Sequence, residues 1–132
     1  MITIQQYFNG RPHTAQQSSD AMDLLSAVNA LLAHYSADEG IELPINPHTG
    51  DLISGQNEGG FRLPDCPQGS LHSSHKEAKA VDVYDPSDDL DTYINDEILT
   101  KYNLYRESPK ETRSWCHLTT RAPGSRHRTF LP

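Results

Sequence analysis

The most regular hydrophobic pattern of the chain lies between residues 20 and 40, where apolar side chains are separated by three or four positions. This period predicts an amphipathic helix that packs its apolar side into the core. Ser18 or Ser19 suits the N-cap, and Gly40 suits the terminator. The predicted core positions of the helix are Met22, Leu25, Val28, Leu32 and Tyr35.

The segments that flank this helix have weaker patterns. Residues 1–17 are polar and rich in glutamine, so we expect an N-terminal arm with at most a short strand at residues 2–4. Residues 41–62 contain two prolines and four glycines, which indicates turns between short extended pieces. A single folded domain is therefore expected over residues 18–132.

Strand patterns appear in the second half of the chain. Residues 80–84 fit a half-buried strand in which Asp82 points away from its two flanking valines. Residues 104–106 and 115–119 resemble the two strands of a hairpin, and residues 128–131 form a last extended piece.

A second helix is predicted between the first strand and the hairpin. Leu90, Ile94 and Ile98 recur at four-residue spacing, with Ser87 or Asp88 as the N-cap. Helices and antiparallel strands in this order predict an α+β domain, with a small antiparallel sheet and helices on one of its faces.

Composition and charge exclude several classes of protein. A chain of 132 residues is about one domain long, and its hydrophobic share of 35% predicts a modest core. The net charge of -7 argues against a nucleic-acid binder. No apolar run approaches the roughly 18 residues that cross a membrane, so no membrane insertion is expected. Residues 1–11 lack the pattern of a secretory signal, which predicts synthesis in the cytoplasm.

The charges are unevenly distributed. Acidic residues are concentrated in residues 82–97, whereas residues 113–132 contain four arginines and no carboxylate side chain. This basic end is either a solvated tail or the wall of a cleft that faces an anion.

The strongest chemical signal is a histidine that precedes an aspartate by seven residues. His75 lies in a predicted loop and Asp82 in a predicted strand, so the loop can fold back and bring both side chains to one ion. His117 lies in the second hairpin strand and is the best candidate for a third ligand. Two histidines and a carboxylate with one open position suit a zinc ion and metal-assisted hydrolysis, although the same set also suits non-haem iron.

These residues carry a resemblance to a known family. Residues 73–82 resemble the S-x-H-x-x-G-x-A-x-D signature of the M15 zinc peptidases, the group of D-alanyl-D-alanine carboxypeptidases and L-alanyl-D-glutamate endopeptidases. Residues 60–62 resemble the family's S-G-[YF]-R segment, and residues 115–117 resemble its W-x-H segment. The resemblance covers roughly residues 55–119, and the short chain is similar to the M15-type proteins of bacteriophages.

The resemblance implies a fold, an activity and a set of roles. The fold would be that of the Hedgehog and DD-peptidase domains, and the activity hydrolysis of peptidoglycan stem peptides by a monomer with one zinc ion. His75, Asp82 and His117 would hold the zinc, Arg62 would pair with a substrate carboxylate, and Ser73 would bind substrate backbone. A phage lysis or virion role would explain action on the cell wall after release without a signal.

The chain departs from the family pattern at two positions. Ala78 replaces a common glycine, which is costly if its φ is positive. Ser114 stands where many members have the glutamate that acts as general base, so another carboxylate is needed. Glu107 and Glu111 are the nearest upstream candidates. If the hairpin loop has an odd number of residues, so that Tyr105 pairs with His117, Glu107 lies on the same sheet face as His117.

Two other readings remain open. Loss of the usual base suggests an inactive zinc protein of the same fold that binds cell wall or serves in a virion. A purely structural zinc site could instead be formed by Cys66, His72, His75 and Cys116, although paired C-x-x-C spacing is missing. The two cysteines alone neither require nor exclude a disulfide.

Overall fold

The computed structural model describes residues 1–68 and 73–131, and within them it is a mixed α+β fold. The helices are α1 (Ile4–Phe8), α2 (Ala15–Glu39), α3 (Asp89–Tyr93) and α4 (Asp96–Lys101). The strands are β1 (Ala80–Tyr84), β2 (Tyr105–Glu107), β3 (Trp115–Thr119) and β4 (Thr129–Phe130). The predicted α+β class and the predicted strand at residues 80–84 are confirmed.

Within the described residues the strands form one open sheet in the order β1-β3-β2-β4. β1 and β2 pair antiparallel with β3, which confirms the hairpin, whereas β4 runs parallel to β2. The expectation of a wholly antiparallel sheet is thus wrong at one edge. β3 ends beside the start of β2, and residues 120–128 bring the chain to that same end of the sheet, so β4 must run in the direction of β2.

Helix α2 begins earlier than predicted and buries a different set of side chains. Thr14, not Ser18 or Ser19, is the N-cap, and it forms a capping box with Gln17. The C-cap at Gly40 is confirmed by its left-handed φ of 63°. Met22 is 62% exposed, so its predicted place in the core is wrong. The buried face consists of Ala21, Leu24, Leu25, Val28, Leu31, Leu32 and Tyr35.

The N-terminal segment is helical and contributes to the core. Thr3 caps α1, so the strand predicted at residues 2–4 is wrong. Ile2, Tyr7 and Phe8 are buried in the same hydrophobic cluster as the side chains of α2. The Tyr7 hydroxyl donates a hydrogen bond of 2.8 Å to the carbonyl of Ala80 in β1. The segment expected to be an arm therefore packs against the sheet.

The second predicted helix is divided into α3 and α4. Ile94 has extended backbone angles, φ -68° and ψ 136°, which ends α3. Asn95 then accepts a hydrogen bond from the Ile98 N–H and starts α4. Asp88 is at the N-cap position of α3, but its side chain makes no capping hydrogen bond. A four-residue spacing of apolar side chains cannot reveal such a break, because the spacing continues unchanged from α3 into α4.

The apolar face of the sheet belongs to the hydrophobic core. Val81 pairs with Leu118 and Val83 with Cys116, and all four side chains are buried. Burial raises the pKa of the Cys116 thiol well above its usual range. Cys116 and Cys66 are both free thiols, so no disulfide joins them.

The turn before β1 contains a strained residue. Ala78 has a φ of 60°, in the left-handed region that glycine adopts easily and alanine does not. Its side chain is fully buried in the core cluster. The methyl group therefore compensates part of the conformational cost through burial.

Replacing Ala78 by glycine should leave the free energy of unfolding within about 0.5 kcal/mol of the wild-type value, because relief of strain offsets the lost methyl contact. Ala80→Gly is the matched control, since Ala80 is equally buried but lies in an extended strand. We expect it to lose about 1.5 kcal/mol. Urea unfolding of both variants measures the difference, and equal losses would contradict the strain assigned to Ala78.

Candidate metal centre

One face of the sheet carries a row of side chains that crosses all four strands. Asp82 pairs directly with His117, and paired residues share a face. One further step of the β2–β3 register puts Glu107 opposite His117, and Phe130 pairs with Glu107. We call these four residues, Asp82, His117, Glu107 and Phe130, the site row.

Asp82 is fixed on β1 by hydrogen bonds to the loop along its outer edge. Its N–H donates to the Gly59 carbonyl and its carbonyl accepts from the Ser54 N–H, both at 2.8 Å. A Cβ on Gly59 would lie 2.2 Å from the Ser54 carbonyl oxygen, so glycine is needed for this close approach. The Asp82 backbone therefore has little freedom, and its carboxylate has a defined direction.

His75 reaches the Asp82 carboxylate from the turn before β1. Its Nδ1 is 2.9 Å from the Gly60 carbonyl oxygen, which can only accept, so Nδ1 carries the proton. The other ring nitrogen, Nε2, is 3.2 Å from Asp82 Oδ1. An imidazole oriented by a carbonyl on one nitrogen, with the other nitrogen facing a carboxylate, is the usual arrangement of a metal-ligating histidine.

His117 completes the group predicted from the sequence. Its Nδ1 is 2.8 Å from Asp82 Oδ1, and its ring centroid is 5.1 Å from that of His75. One ligand atom from each of the three residues lies within 4.8 Å of the other two. Ligands about 2.1 Å from a tetrahedral zinc are about 3.4 Å apart, so small side-chain adjustments would bring this set around one ion.

The electrostatics of the site favour an ionised carboxylate. Burial raises the pKa of Asp82, but the opposing effect of the two neighbouring histidines, through charge and hydrogen bonds, prevails and holds the pKa well below its usual range. An anionic oxygen and two imidazole nitrogens fit the donor preference of zinc. They fit non-haem iron as well, so the donor set supports a metal ion without selecting between the two.

Arg62 lies between the three candidate ligands and an open cleft. Its Nη2 is 3.4 Å from Asp82 Oδ2, and its Nε donates to the Glu58 carbonyl at 2.6 Å. Arg62 and Asp82 both line a cleft of about 510 Å³, whose rim includes Ser114 and Trp115. The guanidinium therefore steadies the carboxylate and also faces the space in which a ligand would bind.

Ser73 adjoins His75 and not the cleft wall. Its hydroxyl accepts a hydrogen bond of 3.3 Å from the His75 N–H, which leaves the hydroxyl proton to donate elsewhere. His72, considered above as a structural ligand, lies outside the described residues. The proposed Cys66, His72, His75 and Cys116 site is contradicted, because Cys116 is buried on the sheet face opposite the site row.

The two candidate bases have different environments. Glu107 is half-buried in the site row, and burial raises its pKa despite the opposing effect of His117. Glu111 is exposed in the turn before β3. Tyr105 pairs with Thr119 and not with His117, the pairing considered from the sequence. The two registers differ by two residues, so Glu107 still lies on the same face as His117. Ser114 is exposed, with a φ of 72°.

Sequence reasoning missed two contributors to the site. The Gly60 carbonyl orients His75 through the backbone, for which no side-chain pattern exists. Phe130 belongs to a two-residue strand, too short for an alternating pattern to reveal its face. Its place in the site row follows from the parallel pairing with β2, which becomes visible only in the folded chain.

A second acidic group lies on the loop after β1 and in α3, and it has a structural role. Asp85, Asp88 and Asp91 bring carboxylate oxygens close together. Asp85 accepts hydrogen bonds from the N–H groups of Leu90 and Asp91, and Asp88 accepts one from the Ser114 N–H. Asp85 thus holds the first N–H groups of α3, and Asp88 fastens the segment that leads into β3. Nothing further among the described residues indicates a metal there.

No family model, curated protein or solved structure matched this chain. The M15 resemblance and the Hedgehog-like fold therefore stay predictions that depend on the motif residues and on the geometry above. Among the described helices, none combines the length and the apolar character needed to cross a bilayer.

Alanine at His75, Asp82 or His117 should each abolish stoichiometric zinc binding, because two remaining ligands hold zinc far more weakly than three. Elemental analysis after dialysis against one equivalent of zinc measures the metal content. His127→Ala is the control, since His127 is exposed and does not belong to the group. Equal metal content in the wild-type and ligand variants would contradict the site, and circular dichroism checks that each variant is folded.

Proposed function

We propose that this chain is a zinc-dependent peptidase that hydrolyses amide bonds in peptidoglycan stem peptides, as a carboxypeptidase or an endopeptidase. The observation that carries the proposal is the convergence of His75, Asp82 and His117 beside a cleft lined by Arg62. The motif resemblance around these residues supports the same conclusion. The resemblance to small phage proteins supports a lysis or virion role.

The donor set fits a metal ion that three side chains hold while a coordination position stays open. Zinc in such a site supplies Lewis acidity, which polarises an amide carbonyl and makes water a nucleophile near neutral pH. The reaction adds water across the C–N bond and yields a carboxylate and an amine. The protein's own residues must bind the substrate, orient it and accept the proton of the water.

Arg62 is the proposed anchor for a substrate carboxylate. Its guanidinium has five N–H donors, and the contacts with Glu58 and Asp82 use two of them. The remaining N–H groups can form a bidentate hydrogen-bonded ion pair with a carboxylate, a group that stem peptides carry. Ser73, through the proton of its hydroxyl, is proposed to bind substrate backbone next to His75.

Glu107 is the proposed general base. It lies beside His117 in the site row, where a carboxylate can take a proton from water that attacks next to the metal ligands. Burial raises the pKa of Glu107, which makes its carboxylate a stronger base than that of an exposed glutamate. Glu111 is the weaker candidate, because the turn that carries it would have to fold inward.

A non-catalytic role is the second candidate. Ser114 lines the cleft where many M15 members have their base, and a serine cannot take up that proton. On this reading the protein would bind cell-wall peptide, or form part of a virion, without cleaving it.

Purified peptidoglycan separates the two candidates. We expect the zinc-loaded wild-type protein to release new amino groups, a chelator to stop the release, and added zinc to restore it. Detection of free amines by a fluorogenic reagent is a direct readout. Binding to peptidoglycan without amine release at any zinc concentration would reject the peptidase and favour the binder.

Exchanging Glu107 for glutamine should lower kcat by about a hundredfold or more, the usual contribution of a general base, while zinc content stays unchanged. Glu111→Gln is the matched control and should retain wild-type kcat, since Glu111 is exposed in the turn. Loss of kcat in Glu111→Gln but not in Glu107→Gln would identify Glu111 as the base. If neither variant loses activity, neither residue is the base.

A further inference from the structure

Phe130 forms the end of the site row that lies farthest from Arg62. Its ring meets the ring of the metal-ligand candidate His117 edge-on, with centroids 6.3 Å apart and planes at 86°. Because β2 separates β4 from β3, the two rings meet above the position of Glu107. The half-buried aromatic ring is therefore an apolar wall next to the proposed base.

The C-terminal strand fixes this wall in place. The Ser108 N–H donates to the Phe130 carbonyl at 2.7 Å, and the Arg106 N–H donates to the Arg128 carbonyl at 2.8 Å. The Arg106 Nε also donates to the Thr129 hydroxyl at 3.0 Å. Residues 120–131 lie outside the part of the chain that resembles M15 peptidases, so the resemblance assigns Phe130 no role.

The order of groups along the site row gives a bound peptide a direction. Arg62 lies against Asp82 on the β1 edge, and Phe130 lies on the β4 edge, three strand spacings or about 14 Å away. An extended peptide covers this distance with about four residues. A carboxylate paired with Arg62 in the cleft would be next to the metal-ligand candidates. A peptide that stays extended across the strands then carries the chain on the other side of the scissile bond over His117 towards Phe130.

We propose that Phe130 is a specificity-determining residue that packs against the side chain of the residue on the acyl side of the scissile bond and selects a small apolar side chain there. The inference rests on the proposed peptidase function and narrows it to a substrate with a free carboxyl-terminal residue. The ring supplies apolar contact for a methyl group and limits the space for larger side chains.

Two acetylated tripeptides test this selection with the zinc-loaded full chain, N-acetyl-L-Lys-D-Ala-D-Ala and N-acetyl-L-Lys-Gly-D-Ala. They differ by one methyl group at the acyl-side residue. The wild-type protein should favour the alanine peptide about fivefold in kcat/KM, the usual effect of one methyl group in an apolar contact. In Phe130→Ala this ratio should fall to about one, whereas Phe130→Leu should largely keep it. Leu131→Ala is the matched control with the wild-type ratio, because Leu131 is 69% exposed.

The ratio separates specificity from general damage, because a misfolded fraction or a disturbed base lowers both values of kcat/KM equally. An unchanged ratio in Phe130→Ala, or a wild-type ratio near one, overturns the inference and leaves the peptidase proposal intact. Cleavage of neither tripeptide also overturns it, and the release of amines from peptidoglycan then shows whether the peptidase proposal fails as well.

Discussion

The arrangement of this protein depends on one buried carboxylate. Asp82 is 9% exposed in the centre of a strand, and an ionised group in such a place costs several kcal/mol unless charges and hydrogen bonds compensate it. His75 and His117 both approach its Oδ1, and Arg62 approaches its Oδ2. Two imidazole nitrogens directed at one anionic oxygen need either hydrogen atoms or a metal ion between them and that oxygen.

Support for this carboxylate extends to the N-terminal helix. The Tyr7 carbonyl accepts the Phe61 N–H at 3.0 Å, and a Cβ on Gly60 would lie 2.5 Å from that carbonyl oxygen. The close packing of α1 thus fixes the peptide whose carbonyl orients His75. Arg11 reinforces the same loop by donating to the Phe61 carbonyl at 2.7 Å. A segment that reads as a polar arm is in fact part of the support of the site.

The parts that the sequence predicts well are those set by short-range patterns. The seven-residue separation of His75 and Asp82 spans one turn and half a strand, and the alternation of β3 decides the face of His117. The sequence predicts poorly those features that depend on contacts between distant segments of the chain. The helical state of residues 4–8 follows from burial against α2 and β1, and the face of Phe130 follows from a parallel pairing. The positive φ of Ala78 likewise follows from the turn, because alanine alone would favour another conformation.

The central claim is that one metal ion lies among the three convergent side chains. A crystal structure of the zinc-loaded protein, with anomalous diffraction measured on both sides of the zinc absorption edge, tests it most directly. We predict one strong anomalous peak about 2 Å from His75 Nε2, an Asp82 carboxylate oxygen and His117 Nδ1. A peak elsewhere, or a zinc-saturated crystal in which these three side chains contact only one another, would contradict it.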